Sequence, residues 1–332
     1  MTDVHQQDVA APPDRTAVTG RRKGRRGRGE QPMVPDASFD SYYGRPVLNK
    51  PTWEARDIAG YFFLGGLAGA SSVLAAGAQL TGRPALARGC KAGALVAISG
   101  SLFALVHDLG RPARFVNMLR VAKPTSPMSV GTWLLTAYGP AAGAAAVSEL
   151  TGLLPRAGRA AAVAAGLLGP AVAAYTAPLV ANTAVPTWHE GHRDLPFVFV
   201  GSAAAAAGGL GMLVAPVAEA GPARRAVLMG SLCELTATAR MERTMGLAAE
   251  PLHTGRGGKL MRAAKALTVT GAVLGGVLGR RSRVAAVLGG VATLAGSACT
   301  RFGIFYAGVA SAEDPKYTVQ PQRERLARQA MP

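Results

Sequence analysis

The stretch VAAVLGGVATLAGSACTRFGIFYAG, residues 284–308, is long and apolar enough to cross a membrane as a helix, yet it carries one ionisable group, Arg301. A second ionisable group, Glu234, interrupts another apolar stretch, residues 226–246. A charged side chain in a membrane span is costly. It normally faces a bundle interior or a water-filled cavity, so each of these two groups marks a functional site by default.

Working outward from residues 284–308, seven further apolar stretches are readable. They lie at residues 58–80, 92–107, 195–218, 226–246 and 261–279, within 124–148 and within 160–188. Each approaches the roughly 20 residues a span needs, and flanking residues extend the shorter ones. The expected fold class is therefore all-α: a polytopic transmembrane helical bundle of about eight spans, preceded by a disordered basic N-terminal tail. The expected divisions are the tail at 1–40, an eight-helix transmembrane domain at 41–312 and a C-terminal tail at 313–332. Small residues recur, as at Gly65, Gly66 and Gly69. They either let helix backbones approach closely or reflect an Ala- and Gly-rich composition.

Composition supports a membrane location. The chain is 49% hydrophobic and only 17% charged, where a soluble domain has about a quarter charged residues. The net charge of +17 raises nucleic-acid binding as a reading, but its distribution opposes it. Arg21, Arg22, Lys23, Arg25, Arg26 and Arg28 crowd one tail, and the remaining cations sit mostly between apolar blocks, where they set topology and meet lipid headgroups. The expected location is the cell (plasma) membrane, multi-pass, in contact with membrane lipid and with no nucleic acid. The first apolar stretch starts far beyond the basic run, which separates residues 1–38 from a secretory leader. Cys90, Cys233 and Cys299 form no CxxC pair, so they read as small core residues rather than ligands of zinc or iron–sulfur clusters.

With eight spans both ends of the chain lie on one side, here side A, which also holds the longer loops. The cations of the tail favour side A as cytoplasmic, although the short loops of side B are basic too. On this topology Tyr61, His107, Asp108, Tyr175, Glu242 and Arg301 converge on the side-A end, with Glu234 deeper. Asp108 and Arg111 are three residues apart and share a helix face, so they can pair. Tyr175 and Asn182, seven apart, share a face, and Trp188 reads as an interfacial anchor. Glu234, Thr238 and Glu242 are spaced i, i+4, i+8 on one face.

This constellation suits a quinone headgroup. Such a ligand needs hydrogen-bond donors at its two oxygens, a carboxylate or imidazole to exchange protons, and an apolar cleft for its tail. On that reading Tyr61, His107, Asp108, Tyr175 and Arg301 bind the quinone, Glu234 and Glu242 relay protons, and Arg111 and Asn182 give structural support. Glu234 alternatively only neutralises Arg301. Haem does not fit: of His5, His107, His189, His192 and His253, only His107 lies near a span interior.

The residues also carry a resemblance. DLGRP at 108–112, YTAPL at 175–179 with PTW at 186–188, Arg301 in the last span, and DPKYTVQPQRER at 314–325 make the chain similar to the NrfD/polysulfide-reductase membrane-subunit family over about residues 41–325. The resemblance implies an eight-helix quinone or quinol module with no haem or metal of its own. It implies docking to a ferredoxin-like 4Fe-4S subunit, which connects to a molybdopterin catalytic subunit, and electron exchange with menaquinone. It also implies that Tyr61, Asp108, Tyr175, Arg301 and one of Glu234 and Glu242 form or support the quinone site. The rival function class is a secondary transporter that couples through Glu234 and Arg301.

Overall fold

The computed structural model describes residues 47–111 and 113–329, so the expected N-terminal tail and Pro112 of the DLGRP string lie outside the described residues. Its elements, in order, are α1 (Ala55–Leu80), α2 (Pro84–Asp108), α3 (Arg114–Met118), α4 (Pro127–Thr151), α5 (Pro155–Ala174), α6 (Thr176–Ala181), α7 (Pro186–Glu190), α8 (Leu195–Val214) and α9 (Gly221–Thr244). A 3-10 segment (Gly246–Leu252) then leads into α10 (Gly255–Gly271), which continues through a π-helical stretch (Ala272–Val277) and a 3-10 turn (Leu278–Arg280); α11 (Arg283–Glu313) and α12 (Lys316–Gln329) follow.

Six continuous helical segments combine the length and apolarity to cross a membrane: Ala55–Leu80, Pro84–Asp108, Pro155–Ala181, Leu195–Val214, Gly255–Arg280 and Arg283–Glu313. α4 and α9, at 25 and 24 residues, match them in length, and of the two α9 is the more polar. α9 is diluted by Arg224, Arg225, Glu234, Arg240, Glu242 and Arg243. Eight long helices therefore make up the bundle among the described residues. The stretch expected as a C-terminal tail is largely helical, as α12.

Local chemistry sets the helix ends. Proline stands in the first turn of α2, α4, α5, α7, α8 and α9, where its missing N–H costs nothing and its fixed φ suits a helix. Ser126 and Ser282 accept the N–H groups of Ser129 and Ala285 and so cap α4 and α11. Gly152 closes α4 at φ 73°, a left-handed conformation that glycine adopts without strain. The fourth span loses one backbone hydrogen bond at Tyr175, whose own backbone stays helical at φ -62° and ψ -25°. Pro178 cannot donate to the carbonyl four residues earlier, that of Ala174, so α5 ends there and α6 resumes after the tyrosine.

The bundle has two halves with the same neighbour scheme. α1 packs on α2 and α5, and α4 on α5; likewise α8 packs on α9 and α11, and α10 on α11. α1 also packs on α8 and α11, and α8 in turn on α2, α5 and α6, so these two helices join the halves. The larger apolar cluster holds Tyr61, Phe62, Trp188, Phe199 and Phe305, and the smaller one, towards side B, holds Ala75, Leu86, Cys90, Met212 and Val227.

Close backbone approach makes these contacts possible. A side chain at Gly69 would meet the carbonyl of Gly169 and lie 3.2 Å from both the Ala173 nitrogen and the Val172 Cβ. Gly77, two turns further along α1, faces open space. Gly69→Val is expected to destabilise the protein by about 1–3 kcal/mol through overpacking, read as a lower Tm in detergent, with Gly77→Val near wild type. Equal effects of the two changes would contradict this account of the α1–α5 contact.

Candidate functional site

At the side-A end of the first half, α1, α2, α4 and α6 surround a cavity of about 100 Å³. α1 supplies Tyr61, and the junction between α5 and α6 supplies Tyr175. The two hydroxyl groups hydrogen-bond to each other, and the rings meet edge to face with centroids 6.3 Å apart. Gly131 on α4 leaves the room that the Tyr175 ring occupies. Asp108, the last residue of α2, also lines the cavity and accepts the backbone N–H of Glu54 at 3.3 Å. The remaining walls are mainly apolar: Ile58, Leu105, Leu135 and Leu179, with Trp53 and the thioethers of Met118 and Met128.

The other residues expected here are placed elsewhere. His107 is not among the cavity-lining residues. Its side chain is 62% exposed, its Nδ1 lies 2.6 Å from Asp57 Oδ2, and its ring stacks on Phe103. The spacing of Asp108 and Arg111 permits an ion pair, but none joins them among the described residues; Gly110, at φ 66°, turns the chain away after α2. Asn182 follows α6 as an exposed C-cap at ψ 40°, past the last helical residue, whereas Tyr175 is buried. Trp188 is not an interfacial anchor. It is 1% exposed, donates its indole N–H to the Ile304 carbonyl at 2.8 Å, and packs between Trp53 and Phe305.

Arg301 and Glu234 lie in the second half. Arg301 is 1% exposed. Its Nη2 donates to the Phe199 carbonyl at 2.7 Å, and its guanidinium lies 3.9 Å over the Phe199 ring, a favourable cation–π geometry. Gly66 of α1 faces the same group. Nε and Nη1 have no hydrogen-bond partner among the described residues. Glu234 accepts the Thr300 hydroxyl at 2.6 Å and, more weakly, that of Thr268 at 3.5 Å. It makes no direct ion pair with Arg301 among the described residues, although the two lie within each other's field. Glu242, two turns closer to side A, is bound by Lys265 at 2.8 and 2.9 Å, with His253 at 3.9 Å.

The expected constellation is thus two groups. Tyr61, Tyr175 and Asp108 share a cavity in the first half, whereas Arg301 and Glu234 sit in the second. Between them stand Phe62, 5.6 Å from Tyr61, and Phe199, 6.1 Å from Phe62. Sequence reasoning missed Trp53, Met118, Met128 and Thr132 as cavity residues, since nothing in their local spacing marks them. Asp57, which holds His107, is a carboxylate one turn before Tyr61 at the start of an apolar stretch, a position visible in the sequence. Of the cysteines, Cys90 is buried in the core, Cys233 and Cys299 are half-buried, and all three are free.

The family described as Polysulphide reductase, NrfD matches residues 49–248. The chain belongs to the NrfD family. The matched stretch contains the whole cavity and both Glu234 and Glu242, while α10, α11 with Arg301, and α12 follow it. No curated protein matches the chain. The NrfD chain is a multi-pass membrane protein and serves as a membrane-anchor subunit of a polysulfide-reductase-like complex.

A buried guanidinium with two unmatched N–H-bearing nitrogens recruits water where the site is polar enough to hold it. A high-resolution cryo-EM map of the protein in lipid is expected to show ordered water at Arg301 Nε and Nη1. Dry packing around both nitrogens would contradict this reading of the second group.

Proposed function

We propose that this NrfD chain is the quinone- or quinol-interacting anchor of a multi-subunit oxidoreductase, exchanging electrons between a partner's iron–sulfur subunit and menaquinone. The observation that carries the reading is the side-A cavity, in which two linked tyrosine hydroxyls and one carboxylate project between apolar walls. A quinone headgroup, when bound, supplies two-electron, two-proton redox chemistry. The residues fit its needs: of the linked pair Tyr61 and Tyr175, the hydroxyl whose proton is not spent on the other donates to a ring oxygen, and Asp108 takes or gives a proton beside them. The cavity is smaller than usual ligand pockets of about 300 Å³ or more. The flexible thioethers of Met118 and Met128 are the wall elements that would yield to a ring.

Proton exchange with water is assigned to the neighbouring pair. His107 follows Leu105 and Val106 out of the bundle, contacts Asp57 and is open to the surroundings, so it connects the Asp108 end of α2 to the side-A surface. In the second half, Glu234, Thr238 and Glu242 lie on one face of α9, and we assign them as a relay from the interior towards side A. Arg301 contributes the positive field that makes an ionised Glu234 tolerable. Loops, α3, α7 and α12 gather on side A, the face on which we place the docking of a ferredoxin-like 4Fe-4S subunit and, beyond it, a molybdopterin catalytic subunit of formate dehydrogenase- or polysulfide reductase-like type.

The transporter reading finds less support. Secondary transporters build their sites from discontinuous helices. Here Glu234 and Arg301 stand on α9 and α11, which run unbroken through both positions.

Asp108→Asn and the double change Tyr61→Phe with Tyr175→Phe are expected to lower quinol-linked turnover by about 100-fold or more. The purified complex should keep its subunits and its activity towards a soluble dye that bypasses the membrane. Unchanged quinol turnover in both variants would refute the site, and loss of the dye reaction as well would show that the changes act on assembly.

A further inference from the structure

Side B carries two groups of cations, and the protein answers only some of them. In the first half, Glu149 takes Lys91 at 2.8 Å and Arg88 at 3.5 Å. In the second half, Arg283 caps the end of α8, donating to the carbonyls of Ala215 at 2.7 Å and Leu213 at 2.6 Å. Arg224, Arg225, Arg280 and Arg281 have no ion pair among the described residues. Arg224 spends one N–H on the Val217 carbonyl at 3.0 Å. The nearest carboxylate in sequence, Glu219, is turned to the start of α2, where it accepts the N–H groups of Ala85 at 2.8 Å and Leu86 at 3.1 Å.

The helices bring these guanidinium groups together. α9 and the seventh span run antiparallel, with the Leu228 side chain lying against Gly276. One turn towards side B from that contact stands Arg224 on α9 and Arg280 on its neighbour. Arg224 lies in the electrostatic field of both Arg280 and Arg225. Further from side B along the same two helices lie exposed apolar side chains: Met229 is 71% and Leu232 65% exposed on α9, and Val273 is 49% and Val277 55% exposed on the seventh span. Cations without an ion pair, with exposed apolar side chains further along the same membrane-spanning helix pair, match a phospholipid in charge and shape.

We propose that Arg224, Arg225 and Arg280 bind the phosphate of an anionic phospholipid whose acyl chains lie along the outer face of α9 and the seventh span. Guanidinium groups suit this task because their planar forks bind phosphate oxygens in pairs and stay charged. The site rests on the membrane topology and is independent of the quinone reading.

The test uses the purified full-length protein, with whatever subunits accompany it, in nanodiscs of phosphatidylglycerol or of phosphatidylcholine. Phosphatidylglycerol is expected to raise the Tm of the wild-type protein by about 2–4 °C over phosphatidylcholine. Mass spectrometry of lipids retained after delipidation should show phosphatidylglycerol enriched at least about fivefold. The triple variant R224Q/R225Q/R280Q is expected to lose both effects, R224K/R225K/R280K to keep most of the enrichment, and R156Q/R159Q, which removes two exposed side-B cations of the first half, to keep both. Equal behaviour of the two lipids overturns the proposal. So does a loss of enrichment in R156Q/R159Q as large as in the triple variant, which would mean a diffuse charge effect. Inorganic phosphate reproducing the Tm rise in phosphatidylcholine discs would also overturn it, in favour of a free-anion site. If the glutamine variant fails to fold, the wild-type lipid comparison and the lysine variant still decide.

Discussion

The close packing of α1 is the constraint on which the rest of the structure depends. Lipid offers helices no hydrophobic drive to associate, so they gain only what intimate contact and hydrogen bonds supply. α1 obtains that contact with helices of both halves because Gly65, Gly66 and Gly69 leave its surface nearly bare. Gly69 lies against the backbone of α5, Gly65 lies near the Ser101 hydroxyl of α2, and Gly66 faces Ala203 of α8 and Arg301 of α11. The same helix then presents Tyr61 to the first half. One run of small residues thus positions the tyrosine pair and leaves space for the guanidinium.

The two polar groups face different energetic terms. Tyrosine hydroxyls are neutral at ordinary pH, and one donates to the other across the interface of α1 with the fourth span, so their burial costs far less than that of a charge. Arg301 is a charge inside a bundle. One carbonyl, one aromatic face and the field of Glu234 offset part of its desolvation, and two of its nitrogens have no hydrogen-bond partner among the described residues. Evenly satisfied residues would hold the helices together at lower cost. The persistence of an incompletely satisfied charge therefore fits a role in function more readily than a role in stability.

Much of this was legible in the sequence. Apolar run lengths gave eight helices, and the ionisable groups inside them pointed to Glu234 and Arg301. The side-A convergence of Tyr61, Asp108 and Tyr175 followed from topology alone. What escaped depended on facts that spacing does not carry. The fourth span reads as one helix through Asn182, but the helix ends at Ala181 and leaves Asn182 as an exposed cap. Trp188 looks interfacial by its position near a helix end; the fold instead closes Trp53, Phe305 and α11 around it. Glu242 shares a helix face with Glu234, yet Lys265 from the next helix claims it, a tertiary contact invisible to periodicity. His107 stands next to Asp108 in sequence, and a helix turns adjacent residues about 100° apart, so one lines the cavity and the other faces outward.

The most direct test of the central claim is a cryo-EM structure of the purified complex with a tight-binding quinone analogue. The account predicts headgroup density between α1, α2, α4 and α6, against the Tyr61 and Tyr175 hydroxyls and near Asp108, with the Met118 and Met128 side chains displaced. Headgroup density in the second half, beside Glu242 and Lys265 or against Arg301, with the tyrosine cavity closed, would contradict it.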